Sequence, residues 1–112
     1  MNFNIRKANR KDYPSILGLI KELAAFENAS EKVTNTVAQM EAEENLFECF
    51  VVENESQEII ALALYYFTYF TWVGKSLYLD DLYVQEAFRG NQIGSDLIKE
   101  IFKVAKENNC KR

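Results

Sequence analysis

The stretch Leu79-Asp80-Asp81-Leu82-Tyr83-Val84-Gln85-Glu86-Ala87-Phe88-Arg89-Gly90-Asn91-Gln92-Ile93-Gly94-Ser95-Asp96-Leu97-Ile98 decides how the chain is read. It opens as an apolar and aromatic run carrying two adjacent carboxylates, Asp80 and Asp81. It then passes through the glycine-bearing segment Arg89-Gly90-Asn91-Gln92-Ile93-Gly94 and continues with Ile93, Leu97, Ile98 and Ile101 at helical spacing. The pattern predicts strand, tight loop, helix. A helix entered from such a loop points its unpaired N–H groups and the positive end of its dipole at the loop mouth, where phosphate is a natural occupant. Gly90 and Gly94 suit a cradle in which backbone must approach the anion closely. The spacing is not Gly-x-Gly-x-x-Gly and no Gly-Lys-Ser/Thr follows, so neither the dinucleotide fingerprint nor the P-loop fits.

Outward from this stretch, the rest of the chain reads as one mixed α/β domain over residues 1–112. Phe3 and Ile5 alternate with polar neighbours, which predicts a short strand. Asp12 is placed as an N-cap with Pro14 in the first turn of a helix whose inner face is Tyr13, Ile16, Leu17, Ile20, Leu23 and Ala24, with Lys21 and Glu22 on the other side. A loop follows at Phe26-Glu27-Asn28-Ala29-Ser30. Thr36 and Gln39 have the form of a capping box for a helix from 37 to about 44, with Glu41, Glu43 and Glu44 as a solvated face. Strands are predicted at 47–53, at 59–68, where apolar residues run on without alternation as if buried on both faces, and at 76–84 after a loop at 69–75. Short connections make antiparallel pairing the simplest topology. The final helix is predicted over 92–108.

Composition narrows the function. Apolar residues make up 48% and charged residues 27%, ordinary globular usage. The net charge of −4 argues against nucleic acid as partner and suits a cationic small molecule. There is no histidine, which closes imidazole base catalysis and imidazole metal ligation to the chain acting alone, and no metal is expected. Cys49 and Cys110 are expected to be free thiols. No apolar leader segment opens the sequence and its longest apolar run is too short to span a bilayer, so a soluble cytoplasmic protein with no membrane partner is the expectation.

The segment Arg89-Gly90-Asn91-Gln92-Ile93-Gly94-Ser95, following Tyr-Leu-Asp-Asp-Leu-Tyr-Val, resembles the acetyl-CoA pyrophosphate loop of the GNAT N-acetyltransferase superfamily, whose pattern is Arg/Gln-x-x-Gly-x-Gly/Ala. The resemblance is nearest to the diamine (spermidine/spermine) N-acetyltransferase branch. It is carried further by Ile5-Arg6-Lys7-Ala8 with Asp12, by residues 19–27, by Ala63-Leu64-Tyr65-Tyr66-Phe67-Thr68-Tyr69, and by Trp72, Gly74 and Lys75. It implies a GNAT-like, mostly antiparallel sheet with flanking helices, incomplete at its C-terminal side, because the chain resembles the first two-thirds of such a protein. It also implies transfer of acetyl from acetyl-CoA to a primary amine of a small cationic substrate, and a homodimer. One residue departs from the motif: Gln92 stands where the pattern has its first glycine, which predicts weakened rather than abolished cofactor binding.

Residue by residue, the resemblance implies that Arg89, Gly90, Asn91, Gln92, Ile93, Gly94 and Ser95 hold the pyrophosphate and that backbone of Leu82, Tyr83 and Val84 lies along the pantetheine arm. Phe26, Glu27 and Asp80 would hold the amine, with Asp80 also taking its proton through water. Without the resemblance, Phe26 and Glu27 read as a packing aromatic and a solvated glutamate, Asp80 as a strand-end acid, and Arg89 as a surface arginine. Alternation sends Asp80 and Asp81 to opposite faces, so only one can face a given cleft, and Asp81 is read as solvated or cap-bonded. Tyr65, Tyr66, Phe67, Tyr69, Phe70 and Trp72 read as core and subunit contact. A domain-swapped dimer could cover an unpaired sheet edge. The rival reading is a non-catalytic CoA-binding or interaction module, or an inactive fragment of such an enzyme.

Overall fold

A computed structural model describes residues 2–110. Its elements are β1 (Asn4–Lys7), α1 (Tyr13–Phe26), α2 (Val37–Ala42), β2 (Glu48–Glu53), β3 (Ile59–Phe70), β4 (Gly74–Val84) and α3 (Ile93–Glu107), joined by short 3-10 turns. The strands form a four-stranded sheet in the order β1-β2-β3-β4, every neighbouring pair antiparallel. This is the expected α/β layering. The β3–β4 hairpin is longer than predicted: both strands run to a turn at Thr71–Val73, so Tyr69 and Phe70 are strand residues.

Each face of the sheet buries its own cluster. Phe50, Val52, Ala61, Ala63 and Tyr65 pack against Ile93, Leu97, Ile101 and Val104 of α3, while Cys49, Val51, Leu62 and Tyr83 pack against Tyr13, Ile16, Leu17 and Leu19 of α1 and Met40 of α2. Strand β3 contributes to both, as its unbroken apolar run predicted. The thiol of Cys49, sealed between layers, is pushed up to about 12 by burial and is inert at neutral pH. Both cysteines are free.

Helix ends follow sequence rules with one correction. Thr36 Oγ1 accepts from Gln39 N–H at 3.1 Å and starts α2 as predicted. Both long helices close on asparagines in the left-handed conformation, Asn28 (φ 54°) and Asn109 (φ 56°), with the paired terminal hydrogen bonds of a Schellman turn. Asp12 does not cap α1. Asn9 caps the preceding turn by accepting from Lys11 N–H, and Asp12 closes it by accepting from Asn9 N–H at 2.8 Å. Its carboxylate also accepts from both terminal nitrogens of Arg6, at 2.7 and 2.8 Å, while Arg6 Nε donates to Glu53. Glu44 keeps its contact with solvent but is also held: it accepts from Arg10 and, at 3.5 Å, from Tyr13 OH.

Buried Asp12 has an acid-stability consequence. The Arg6 guanidinium holds its carboxyl below the usual 3.8, against the opposing effect of burial. A depressed carboxylate stabilises the fold above its unfolded value, and that contribution disappears as pH falls through the folded value. Asp12→Asn is expected to destabilise by about 2 kcal/mol at pH 7 and to flatten the loss of stability below pH 3.8. Urea unfolding at pH 7 and pH 3 measures both.

Candidate acetyl-CoA site

Strand β4 lies at the edge of the sheet and feeds the loop that opens α3. Gln85 N–H donates to Ile60 O at 3.0 Å, so by antiparallel alternation the backbone of Tyr83 and Gln85 faces β3 while that of Leu82 and Val84 faces the open edge. Beyond the edge, a cleft of about 560 Å³ is lined by Leu82, Tyr83 and Val84, by Leu23 and Phe88, and by the loop and first turn of α3 through Arg89, Gly90, Gln92, Ile93, Gly94 and Ser95. Nearly all the residues assigned to the cofactor in the sequence meet here. Asn91 is not among the lining residues: its side-chain amide donates back to Phe88 O at 2.9 Å and so shapes the loop.

The part of the cleft that could receive an anion is backbone. The first bond within α3 is Asp96 N–H to Gln92 O at 3.0 Å, so the amides of Ile93, Gly94 and Ser95 precede the intrahelical ladder. Gly90 takes φ 87°. A side chain at Gly94 would meet nothing within 4 Å, so internal packing does not require a glycine there and the backbone is open to approach from outside. Gln92 is the N-cap, left-handed at φ 62°, and its exposed side chain makes no capping bond and does not plug the turn. The motif glycine therefore has a physical reason, a backbone angle that a Cβ resists. Gln92→Gly is expected to raise stability by about 0.5–1 kcal/mol, net of the added chain entropy of glycine, and to tighten anion binding. Thermal melting and a pyrophosphate titration measure the two effects.

Asp80 and Asp81 sit at a β-bulge. Leu64 pairs with Asp81 but Tyr65 pairs with Leu79, leaving Asp80 as the inserted residue. The parity of the strand flips there: Leu77 and Leu79 pack in the same cluster as Leu82 and Val84, which uninterrupted alternation forbids. Both carboxylates consequently line one cleft of about 250 Å³ on the α1 side, with Leu17, Ile20, Asn35 and Tyr66, which corrects the expectation of opposite faces. Asp81 is half-buried, lines this cleft and has no hydrogen-bond partner among the described residues, so it is not cap-bonded and its carboxylate keeps contact with solvent through the cleft. Burial raises its pKa above 3.8, with Asp80 and Glu27 adding to the effect. Glu27 caps the C-terminus of α1, directly after Phe26, which is 59% exposed.

One contributor escaped the sequence reading. Glu22, placed there on the outer face of α1, accepts from Tyr83 OH at 3.1 Å and from Gln85 Nε2 at 3.1 and 3.3 Å, tying α1 to the strand beside the cleft. Its position three residues after Leu19 and four before Phe26 puts it at the border of the apolar face, which was the available signal. Among the described residues no group of three His, Cys, Asp or Glu side chains is placed to hold a metal ion, and no helix is long and apolar enough to cross a membrane.

The sequence profile of the Acetyltransferase (GNAT) family matches residues 6–112. The chain belongs to the GNAT acetyltransferase family. It is 39% identical over 118 residues to human spermidine/spermine N(1)-acetyltransferase-like protein 1, covering 96% of this chain but 17% of that protein. It is 38% identical over 117 residues to mouse thialysine N-epsilon-acetyltransferase, covering 95% of this chain and 69% of that one. The GNAT fold is matched structurally by glucosamine-6-phosphate N-acetyltransferase from Arabidopsis thaliana, with TM-score 0.80, 20% identity and coverage of 99% of this chain and 79% of that one. A predicted acetyltransferase from Clostridium acetobutylicum solved with acetyl-CoA gives TM-score 0.75 at 24% identity, covering 99% of this chain and 78% of that one. Acetyl-CoA is the cosubstrate of the GNAT family, and the geometry here offers what such a molecule would need: helix amides outside the intrahelical ladder for a diphosphate and an open strand edge for an amide-bearing arm, in one cleft.

Proposed function

We propose that this chain transfers acetyl from acetyl-CoA to a primary amine of a small cationic substrate of the polyamine, diamine or thialysine kind. The observation that carries the reading is the cleft in which the open edge of β4 and the unpaired amides of Ile93, Gly94 and Ser95 meet, with the Asp80–Asp81 bulge just up the strand. The thioester supplies an activated acetyl group; the protein's task is to hold it and to present a neutral amine.

An alkylammonium has a pKa of about 10.4 and no lone pair while protonated, so a base must take its proton. Glu27, Asp80 and Asp81 supply the negative potential that draws an ammonium in. Asp80, exposed on the bulge, is assigned to binding it. Asp81, whose desolvation raises its proton affinity, is the better-supported acceptor, directly or through water. Outward-facing Leu82 N–H is a fixed donor for the oxygen that gains charge during attack. Arg89, at the loop mouth, adds positive charge for the diphosphate.

The homodimer reading is supported by the hairpin tip, where Tyr69 is 73% and Trp72 97% exposed. A cytoplasmic location is supported by two cysteines that form no disulfide. The function is tested by calorimetric titration with acetyl-CoA followed by thiol release over a panel of primary amines. Binding with amine-dependent thiol release supports the enzyme; binding without it leaves a CoA-binding module; no binding removes both.

A further inference from the structure

We infer that the rings of Phe26 and Tyr83 form a cation site that the chain's own Arg89 fills until an anion at the α3 turn draws that side chain away. The guanidinium carbon of Arg89 lies 5.2 Å from the Phe26 ring centroid and 5.9 Å from that of Tyr83. Its Nε donates to Val84 O at 3.0 Å, and it forms no ion pair among the described residues. The two rings border a cleft of about 500 Å³ that is also lined by Glu22, Ala25 and Glu86. Glu22 holds the Tyr83 hydroxyl and so sets the ring's orientation, and both carboxylates add negative potential around the ring faces. Two rings and two acids suit an alkylammonium or guanidinium and offer little to a neutral or anionic group.

Arg89 has two sets of partners that compete. Its present contacts are ring faces and one neutral carbonyl, whereas a phosphate offers charge-assisted, bidentate bonds to the same guanidinium. Arg89 is also the first residue of the loop that leads to the α3 amides, so an anion there is within reach of a side-chain rotation. Leaving the rings, Arg89 releases the cation site and the Val84 carbonyl on the open edge of β4 together. Anion binding and cation binding are then positively coupled, and linkage makes the coupling reciprocal. This inference rests on the reading of the α3 turn as a diphosphate site.

The test measures n-butylammonium binding by nuclear magnetic resonance, with and without saturating inorganic pyrophosphate. Arg89→Ala is expected to bind the ammonium about fivefold tighter than wild type without pyrophosphate. Removing a positive charge could tighten binding by repulsion alone, so the deciding variant adds Phe26→Leu, at an exposed position, to Arg89→Ala. Loss of the gain supports the ring site; a gain that survives Phe26→Leu, or no gain from Arg89→Ala, overturns it. In wild type, pyrophosphate is expected to produce a similar tightening. Pyrophosphate that binds without tightening the ammonium overturns the exchange. Pyrophosphate that fails to bind removes the diphosphate reading and the trigger with it, while the Arg89→Ala arm still decides whether the rings hold a cation.

Discussion

Gly94→Glu is expected to abolish acetyl-CoA binding, by about 100-fold or more, while leaving the melting temperature unchanged or higher. The two effects separate because Gly94 is helical and a Cβ there meets nothing within 4 Å, so the fold has room for the side chain. A glutamate in the first turn also replaces a poor helix former and faces the positive end of the dipole, each favourable by a few tenths of a kcal/mol or more. For a diphosphate, the same carboxylate brings like charge and bulk to the amides of Ile93, Gly94 and Ser95. Losing even two charge-assisted bonds of about 1.5 kcal/mol each accounts for the factor. Gly94→Ala is the graded control, with about 10-fold loss from bulk alone. Calorimetry and thermal melting on the same samples measure both arms; unchanged affinity in Gly94→Glu would place the anion elsewhere.

The second large effect is at the bulge. Asp81→Asn is expected to lower kcat/KM for a cationic amine by about 100-fold, the usual scale for loss of a proton acceptor. Asp80→Asn is expected to act chiefly through KM, and unchanged activity there would remove its assigned role. The pH profile carries the sign: the acceptor works deprotonated, so wild-type rates fall as pH drops through the Asp81 value, which burial holds above 3.8. Stability moves oppositely. A carboxyl whose folded pKa is raised favours the fold below its unfolded value and loses that contribution as pH rises, so the charged Asp81 is a burden at pH 7. Asp81→Asn is therefore expected to melt higher than wild type at pH 7 while turning over more slowly. A variant that is both slower and less stable would indicate a packing role instead.

The same bulge marks the limit of what the sequence could disclose. Period-two alternation sorts residues to faces only while the register is continuous, and nothing in Leu79-Asp80-Asp81-Leu82 announces that one residue is inserted. Local signals fared better where local chemistry decides: the Thr36 cap, the start of α3 after Gln92, and the two-faced burial of β3 all follow from residues within a few positions. Long-range partners did not. Asp12 is turned from a cap to a bridge by Arg6 on a neighbouring strand, Glu44 is held by Arg10, and Glu22 is captured by Tyr83 from 61 residues away. The motif was legible in the sequence, but why Gln92 departs from it uncomfortably became visible only with its left-handed backbone angle.

The account turns on where the diphosphate lies, and backbone amide shifts on titration with CoA report that directly. The result predicted is saturable change concentrated at Ile93, Gly94 and Ser95, with smaller change at Leu82 and Val84 along the strand edge. Binding that perturbs a different surface, or no saturable change at these amides, would contradict it.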